Sequence, residues 1–542
     1  MGSLHLSQPL ARTAAFLAGS LLMASAASAF FVDGSGKFGL RGESRTVPGF
    51  NGSTAHQAID QFFQLRGELR ANDRASMITE FRLFPDPRSA YAGDTSGPVE
   101  CSPLVESGQD RFPANTGNAD DCTGRNQNSA EPAYADLMPR VSQFYALYSA
   151  DFCLLKAGRR ARHWGMGVYL DDGSDLFDTS ASIYDGITCD INVQKSQTLG
   201  MSVGYDKIQE TGAPVNHDKD DDTSYGPRNQ TDDLDQIFFT IMYDDRKANA
   251  GQGFTRQIGF YLANILGRKP LKSDVKIADL FLGFYLPSLV IQQEFIFRLG
   301  KSSDPSYTRL GGKASLGGET ATNNVQSIAA AGGVEYIFDR SGSMVGPARY
   351  RQGDATSHSL FFDYAWAPGD ADGYRNQIDD DLSLSRSDAN AKAIAFNRNF
   401  KPALILFNGR QQQDDLRTDG VFDPGRVMNA TVFSLGYRYR SLDTGNFEVK
   451  LISASLNETI PADMKADFDT RYAADNTLRR PFGYEGADLG YELDLTYDLD
   501  LDENLLVGGA LAAASPGEAW KGYADRSPDL NLLVQGWISF TF

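Results

Sequence analysis

The segment Leu530–Phe542, LNLLVQGWISFTF, decides the fold. Leu530, Leu532, Val534, Ile538, Phe540 and Phe542 alternate with Asn531, Leu533, Gln535, Trp537, Ser539 and Thr541. A period of two belongs to a strand whose two faces meet different surroundings. Working outward from this end, the same theme recurs. Phe63, Leu65, Gly67 and Leu69 alternate with Gln64, Arg66, Glu68 and Arg70, and a polar turn follows at 71–74. Met77, Thr79, Phe81 and Leu83 then alternate with Ile78, Glu80 and Arg82. Two further examples are Gln293, Phe295, Phe297 and Leu299 against Gln292, Glu294 and Arg298, and Tyr491, Leu493, Leu495, Tyr497 and Leu499 against Glu492, Asp494, Thr496 and Asp498.

A soluble sandwich also alternates, with one face dry and one wet. Here the polar face is heavily charged, the apolar face is rich in Leu, Phe and Tyr, and the segments run to about ten residues, enough to cross a bilayer at a steep tilt. Sheet exposed to lipid must close on itself, because an unpaired edge in hydrocarbon costs several kcal/mol per group. The predicted fold is therefore all-β: a transmembrane, antiparallel, up-and-down β-barrel of about eighteen strands, within sixteen to twenty. Short connections are expected near 71–74, 150–152, 193–197, 245–252, 287–288, 340–342, 441–444 and 500–503. Long ones are expected near 47–56, 85–137, 161–181, 209–232, 266–273, 301–323, 354–426, 457–485 and 514–528, with short and long alternating strictly. Short turns belong to the periplasmic side and long loops to the outside. Loops 354–426 and 85–137 are candidates for a constriction. Phe396–Phe407, FNRNFKPALILF, reads either as a further strand or as apolar loop folded inward.

Residues 1–29 have the form of a secretory signal: Arg12, an apolar run from Thr13 to Ala26, and the small-x-small end Ala27-Ser28-Ala29. Residues 30–542 are then one barrel domain in the bacterial outer membrane, with long extracellular loops at 85–137, 209–232, 354–426 and 457–485. Later in the chain the nearest approach to an apolar helix, Leu280–Ile291, is interrupted by Pro287-Ser288 and is far short of a membrane span. The totals, 41% hydrophobic with a net charge of −19, suit a barrel with a wet lumen and exclude a nucleic-acid partner. Four cysteines fit an oxidising compartment, and of the three possible connectivities Cys101–Cys122 with Cys153–Cys189 is favoured. No cysteine has a partner at ligand spacing, and the Asp218–Asp222 run lacks the turn glycine and closing Glu of a calcium loop, so neither metal nor cofactor is expected. No nucleophile-and-base pattern or GxSxG occurs, so no catalytic residues and no enzyme are expected.

Alternation places Arg66, Glu68, Arg70, Glu80, Arg82, Lys156, Arg160, Glu294, Arg298, Arg438, Arg440, Glu492 and Asp494 on the lumen side as candidate pore-lining residues. Opposed basic and acidic walls would orient charged solutes; the alternative is that the charges pair and stiffen the barrel. Gly158–Gly167, GRRARHWGMG, gathers cations beside an aromatic, which makes Arg159, Arg160, Arg162 and Trp164 candidate solute contacts. The same residues would also suit lipopolysaccharide phosphates and an aromatic girdle.

The closing strand resembles the assembly signal of bacterial outer-membrane proteins, which implies recognition of Phe540 and Phe542 by the barrel-assembly machinery. The GRR..HWG.G run, Val325–Phe338 (VQSIAAAGGVEYIF), Arg349–Asp354 (RYRQGD) and Arg426–Arg440 (RVMNATVFSLGYRYR) resemble, in order, the alginate-export type of outer-membrane porin. That resemblance implies an eighteen-stranded barrel in which Arg159, Arg160 and Arg162 contact uronate polymers. The expected function is passive passage of small polar or anionic solutes, such as sugars or uronates. The alternative is a plugged barrel serving as adhesin or structural protein. Expected partners are outer-membrane lipids, lipopolysaccharide and the assembly machinery, with the oligomeric state open.

Overall fold

The computed structural model describes residues 31–46, 56–83, 140–178, 181–192, 198–209, 234–246, 253–267, 272–303, 322–341, 356–372, 390–408, 425–441, 444–474, 482–521 and 529–542. The signal-like segment, Cys101 and Cys122, loop 85–137, and the Asp218–Asp222 run lie outside them.

The two-faced segments form the strands β1 (Phe31–Arg45), β2 (His56–Asn72), β3 (Ala75–Leu83), β4 (Arg140–Ser149), β5 (Leu154–Ala161), β6 (Ile183–Asn192), β7 (Leu199–Gln209), β8 (Leu234–Asp244), β9 (Thr255–Gly267) and β10 (Ser273–Leu286). They continue as β11 (Leu289–Ser302), β12 (Asn323–Ser341), β13 (Thr356–Ala367), β14 (Asn390–Ala391), β15 (Ala430–Ser441), β16 (Gly445–Leu456), β17 (Asp488–Asp500), β18 (Leu505–Pro516) and β19 (Asn531–Thr541). Every strand but β14 is antiparallel to its sequence neighbours in one sheet, with β13 paired to β15. The sheet closes because β1 pairs with β2 on one side and with β19 on the other, from Lys37↔Thr541 to Arg45↔Leu533. The result is a closed barrel of eighteen strands. β14 is a two-residue piece inside it, parallel to β12.

Closure satisfies every edge, and the outer face shows why it is needed. Leu65, Phe81, Phe297 and Leu493 are 41, 37, 38 and 44% exposed, whereas Glu294 is fully buried. Ile59, Ile187, Leu299, Leu360, Leu435, Leu451 and Leu511 extend the apolar exterior around the barrel. A continuous apolar surface of this size would drive a soluble monomer to aggregate, whereas lipid covers it. Near the short-turn end Phe338, His358, Tyr437 and Tyr439 cluster, with His358 Nδ1 2.7 Å from the Tyr437 hydroxyl. Amphipathic rings of this kind suit the headgroup level. At the seam the Phe542 ring lies where a Gly36 side chain would be, and its main chain exchanges hydrogen bonds with Gly36 at 2.7 and 3.0 Å. Cys153, immediately before β5, and Cys189 in β6 form a disulfide.

Two details differ from the sequence reading. Connection length does not alternate strictly: 268–272, at the long-loop end, is shorter than 245–254 at the other. The stretch 354–426 is not one loop either, because β13 occupies 356–367, so the turn-end connection runs from β12 at 341 to β13 at 356 and the long one from β13 at 367 to β15 at 430. The strand was masked by Leu360-Phe361-Phe362: Phe361 faces inward under Arg438, so both faces are apolar there.

Candidate functional site

Two segments at the long-loop end fold into the lumen. The first, 162–178 with 181–182, lies between β5 and β6; the second, 390–408 with 425–429, lies between β13 and β15. Trp164 packs 5.8 Å from the Tyr261 ring, and Phe177, in the left-handed region at φ 63°, meets Phe62 edge-on at 6.4 Å. In the second segment Phe396, Ala403, Ile405, Leu406 and Phe407 are buried. Of the two readings of FNRNFKPALILF, the inward loop is therefore the one realised. The wall makes room with small residues: Ala329, Ala331, Ala365, Ala430, Ala454, Ala512 and Ala514 are all buried on its inner face. The segments also hold each other. Asn397 N–H donates to the Val168 carbonyl at 2.8 Å, and Asn399 Nδ2 donates to Asp171 Oδ1 at 2.7 Å. Burying a large apolar side chain contributes about 1.5–3 kcal/mol, so the infolded cluster is a substantial anchor.

Charges on the wall supply the rest. Glu492 accepts the amides of Ile405 and Leu406 at 2.6 and 2.7 Å, and Asp494 Oδ2 accepts that of Leu404 at 3.3 Å. Glu294 accepts the amides of Met166 and Tyr169. Gly165 is required there: it has φ 58°, and a Cβ would lie 2.3 Å from Glu294 Oε2. Arg82, paired with Glu80 at 2.6 Å, donates to the carbonyls of Asp172 and Gly173, and Arg298 donates to that of Ala393 at 2.8 Å. These residues face inward as alternation implied, but the infolded segments cover them. Their visible work is to clamp loop backbone.

The remaining candidates divide by position. Arg66, Glu68 and Arg70 lie on the inner face toward the short-turn end, with Arg70 and Glu68 paired at 2.9 Å. Lys156 pairs with Asp190 at 2.7 Å. Arg438 meets Glu448 at 2.7 Å and Glu335 at 3.3 Å, and Arg440 meets Glu335 at 2.9 Å. The expected cationic gate does not assemble. Arg159 projects from the outer face, opposite in direction to the buried Arg160, and pairs with Asp185 at 2.7 Å. Arg160 and Arg162 converge on the fully buried Asp206, with Arg162 3.5 Å over the Phe238 ring. Burial lowers the Arg162 pKa to about 10, although nearby Tyr261 opposes the shift. Trp164, within the first segment, is buried against Tyr261 of the wall and belongs to no outer girdle. Arg160 and Arg162 are used to root the loop.

Beside the two segments lies a cavity of about 450 Å³. Its lining includes His163, Asp171, Asp172, Asp175 and Asp178 from the first segment and Lys401 from the second. The wall adds Asp363, Arg438, Glu448 and Lys450. Six carboxyl groups thus stand against three permanent cations, and even with Asp178 protonated the cavity is acidic on balance. Burial, with Asp171 nearby, pushes Asp178 up to about 8, while Lys401 pulls it back. Burial also works against a charge on His163, but the hydrogen bond to Asp171 and the charges of Asp172, Asp171 and Glu294 outweigh it and hold its pKa above the ordinary value. For Asp171, burial is overcome by hydrogen bonds from His163, Asn399 and the Gly173 amide, so its pKa is lowered. Sequence reasoning placed 161–181 in an outer loop and so missed the Asp171–Asp178 ledge, Lys401 and Asp363. The available signal was Asp171-Asp172-Gly173-Ser174-Asp175 directly after the Arg-Trp run.

No protein-family description and no curated protein matches the chain. Among solved structures it is similar to the outer membrane protein opdK from Pseudomonas aeruginosa, at 10% identity and TM-score 0.42, covering 94% of this chain and 99% of that one. It is also similar to OccAB1 of Acinetobacter baumannii, at 9% identity and TM-score 0.45, covering 94% and 96%. A third is Pseudomonas aeruginosa OccK2 (OpdF) in complex with glucuronate, at 10% identity and TM-score 0.41, covering 94% and 98%.

Proposed function

We propose that the chain is an outer-membrane channel for the passive passage of small polar solutes, and that it prefers those bearing a positive charge or a strong dipole. The observation that carries this reading is the acidic cavity beside the infolded segments, with Asp171, Asp172 and Asp175 on one side and Arg438 and Lys450 on the other. Low-dielectric walls focus such a field, and a dipolar solute aligns in it. The apolar exterior and closed sheet support the membrane location, and the Gram-negative outer membrane is where such barrels reside.

The finer expectation, an anionic solute or uronate polymer guided by Arg159, Arg160 and Arg162, lacks the support it needed. One of those arginines points away from the lumen, and the other two are held by Asp206. A plugged barrel is the second reading, favoured by the dry cluster around Phe396, Ile405 and Phe407. Reversal potentials in a potassium chloride gradient across planar bilayers separate the readings. Cation preference that weakens in Asp171→Asn/Asp172→Asn/Asp175→Asn supports the proposal. Anion preference refutes the stated selectivity, and absence of conductance refutes the channel.

A further inference from the structure

We propose that His163, Asp171 and Asp172 form a binding site for one zinc-class divalent cation on the cavity side of the first infolded segment. One ligand-capable atom from each of the three lies within 4.8 Å of those of the other two. All three line the cavity, which gives an ion an aqueous entry path.

The two imidazole nitrogens are not equivalent. Nε2 lies 3.3 Å from the Gly165 carbonyl oxygen and Nδ1 lies 3.3 Å from Asp171 Oδ2, and each of these oxygens can only accept. A divalent ion at Nδ1 leaves the ring hydrogen on Nε2 for the Gly165 carbonyl and sets a positive charge against Asp171. A proton on Nδ1 answers the need of the His163–Asp171 pair alone, whereas a metal ion also engages Asp172, the third donor.

Each carboxylate is oriented as a ligand would be. Asp171 Oδ1 accepts from the Gly173 amide at 2.8 Å and from Asn399 Nδ2 at 2.7 Å, leaving Oδ2 on the histidine side. Asp172 Oδ1 accepts from the Ser174 amide at 3.1 Å. Outer contacts of this type fix ligand direction in metal sites. The loop itself is held by Arg82 at the carbonyls of residues 172 and 173 and by Glu294 at the amides of residues 166 and 169. One imidazole and two carboxylates, with water completing the shell, suit zinc and its first-row neighbours. Magnesium and calcium favour oxygen-only shells.

The test is a direct binding measurement, independent of transport. Purified full-length barrel in detergent is titrated calorimetrically with zinc chloride, alone and in excess magnesium chloride, and cobalt absorption serves as a second readout. One zinc per chain, retained in magnesium, is expected. His163→Ala and Asp172→Asn should each weaken it at least about tenfold, while Asp185→Asn, on the outer face, stays within about twofold. In the unmutated chain, zinc should shield His163, and not His358, from diethyl pyrocarbonate as mapped by mass spectrometry. This keeps the test decisive if a variant fails to fold. Absence of zinc binding, binding untouched by His163→Ala, equal displacement by magnesium, or unshielded His163 would each overturn the proposal.

Discussion

Replacing Glu492 should loosen the second infolded segment without breaking the barrel. Both its oxygens accept buried main-chain amides, from Ile405 at 2.6 Å and Leu406 at 2.7 Å. Each such hydrogen bond contributes roughly 0.5–1.5 kcal/mol, and an orphaned buried donor costs about 1–3 kcal/mol. Against that, removing a buried carboxylate relieves its own desolvation. The net for Glu492→Ala is about 3 kcal/mol, or roughly a hundredfold in the ratio of released to docked segment. Phe396, Ile405, Leu406 and Phe407 remain as apolar anchors at about 1.5–3 kcal/mol each, so the docked form still predominates. The expected phenotype is therefore intermittent: single-channel records should show brief excursions to higher conductance, about a hundred times more frequent than in the parent. Glu492→Gln keeps one acceptor and should give an intermediate frequency. Records of Glu492→Ala indistinguishable from the parent in conductance and noise would refute the view that this carboxylate holds the segment.

Three further outcomes follow from the same geometry. Arg159→Gln should leave ion selectivity unchanged, because the side chain lies on the outer face, whereas Asp172→Asn should reduce cation preference in the same reversal-potential assay. Asp370 is buried and its pKa is raised to about 6 by that burial, against the amides of Lys392 and Asp372. An acid raised in the folded state opposes folding once ionised, so stability is fullest below about pH 4 and falls as pH climbs through 6, by up to about 3 kcal/mol. Urea unfolding at pH 4 and pH 8 should show most of that fall in the parent, and Asp370→Asn should flatten it. Finally, Phe542→Ala removes the ring that covers Gly36 at the seam. The yield of heat-modifiable, folded barrel on gels should drop several-fold, and an unchanged yield would show that seam packing by this ring is dispensable.

Much of the wall was legible in the sequence, and little of the lumen was. Alternation alone separated Leu65, Phe81, Phe297 and Leu493 from Glu80, Glu294 and Glu492, because a strand has only two faces and lipid accepts only one kind of side chain. With the connections counted it gave about eighteen strands, within sixteen to twenty, and a sheet that must close, as the β1–β19 pairing does, since hydrocarbon forbids an open edge. It failed at β13, where Phe361 made both faces apolar. Whether an inward charge meets water, another charge or a backbone amide depends on residues far away in the chain. Arg82 meets residues 172 and 173, Glu294 meets 166 and 169, and Glu492 meets 405 and 406. Periodicity carries no information about such contacts. The docking of two loops inside the barrel decided them, and with them it decided which carboxylates were left to face the cavity.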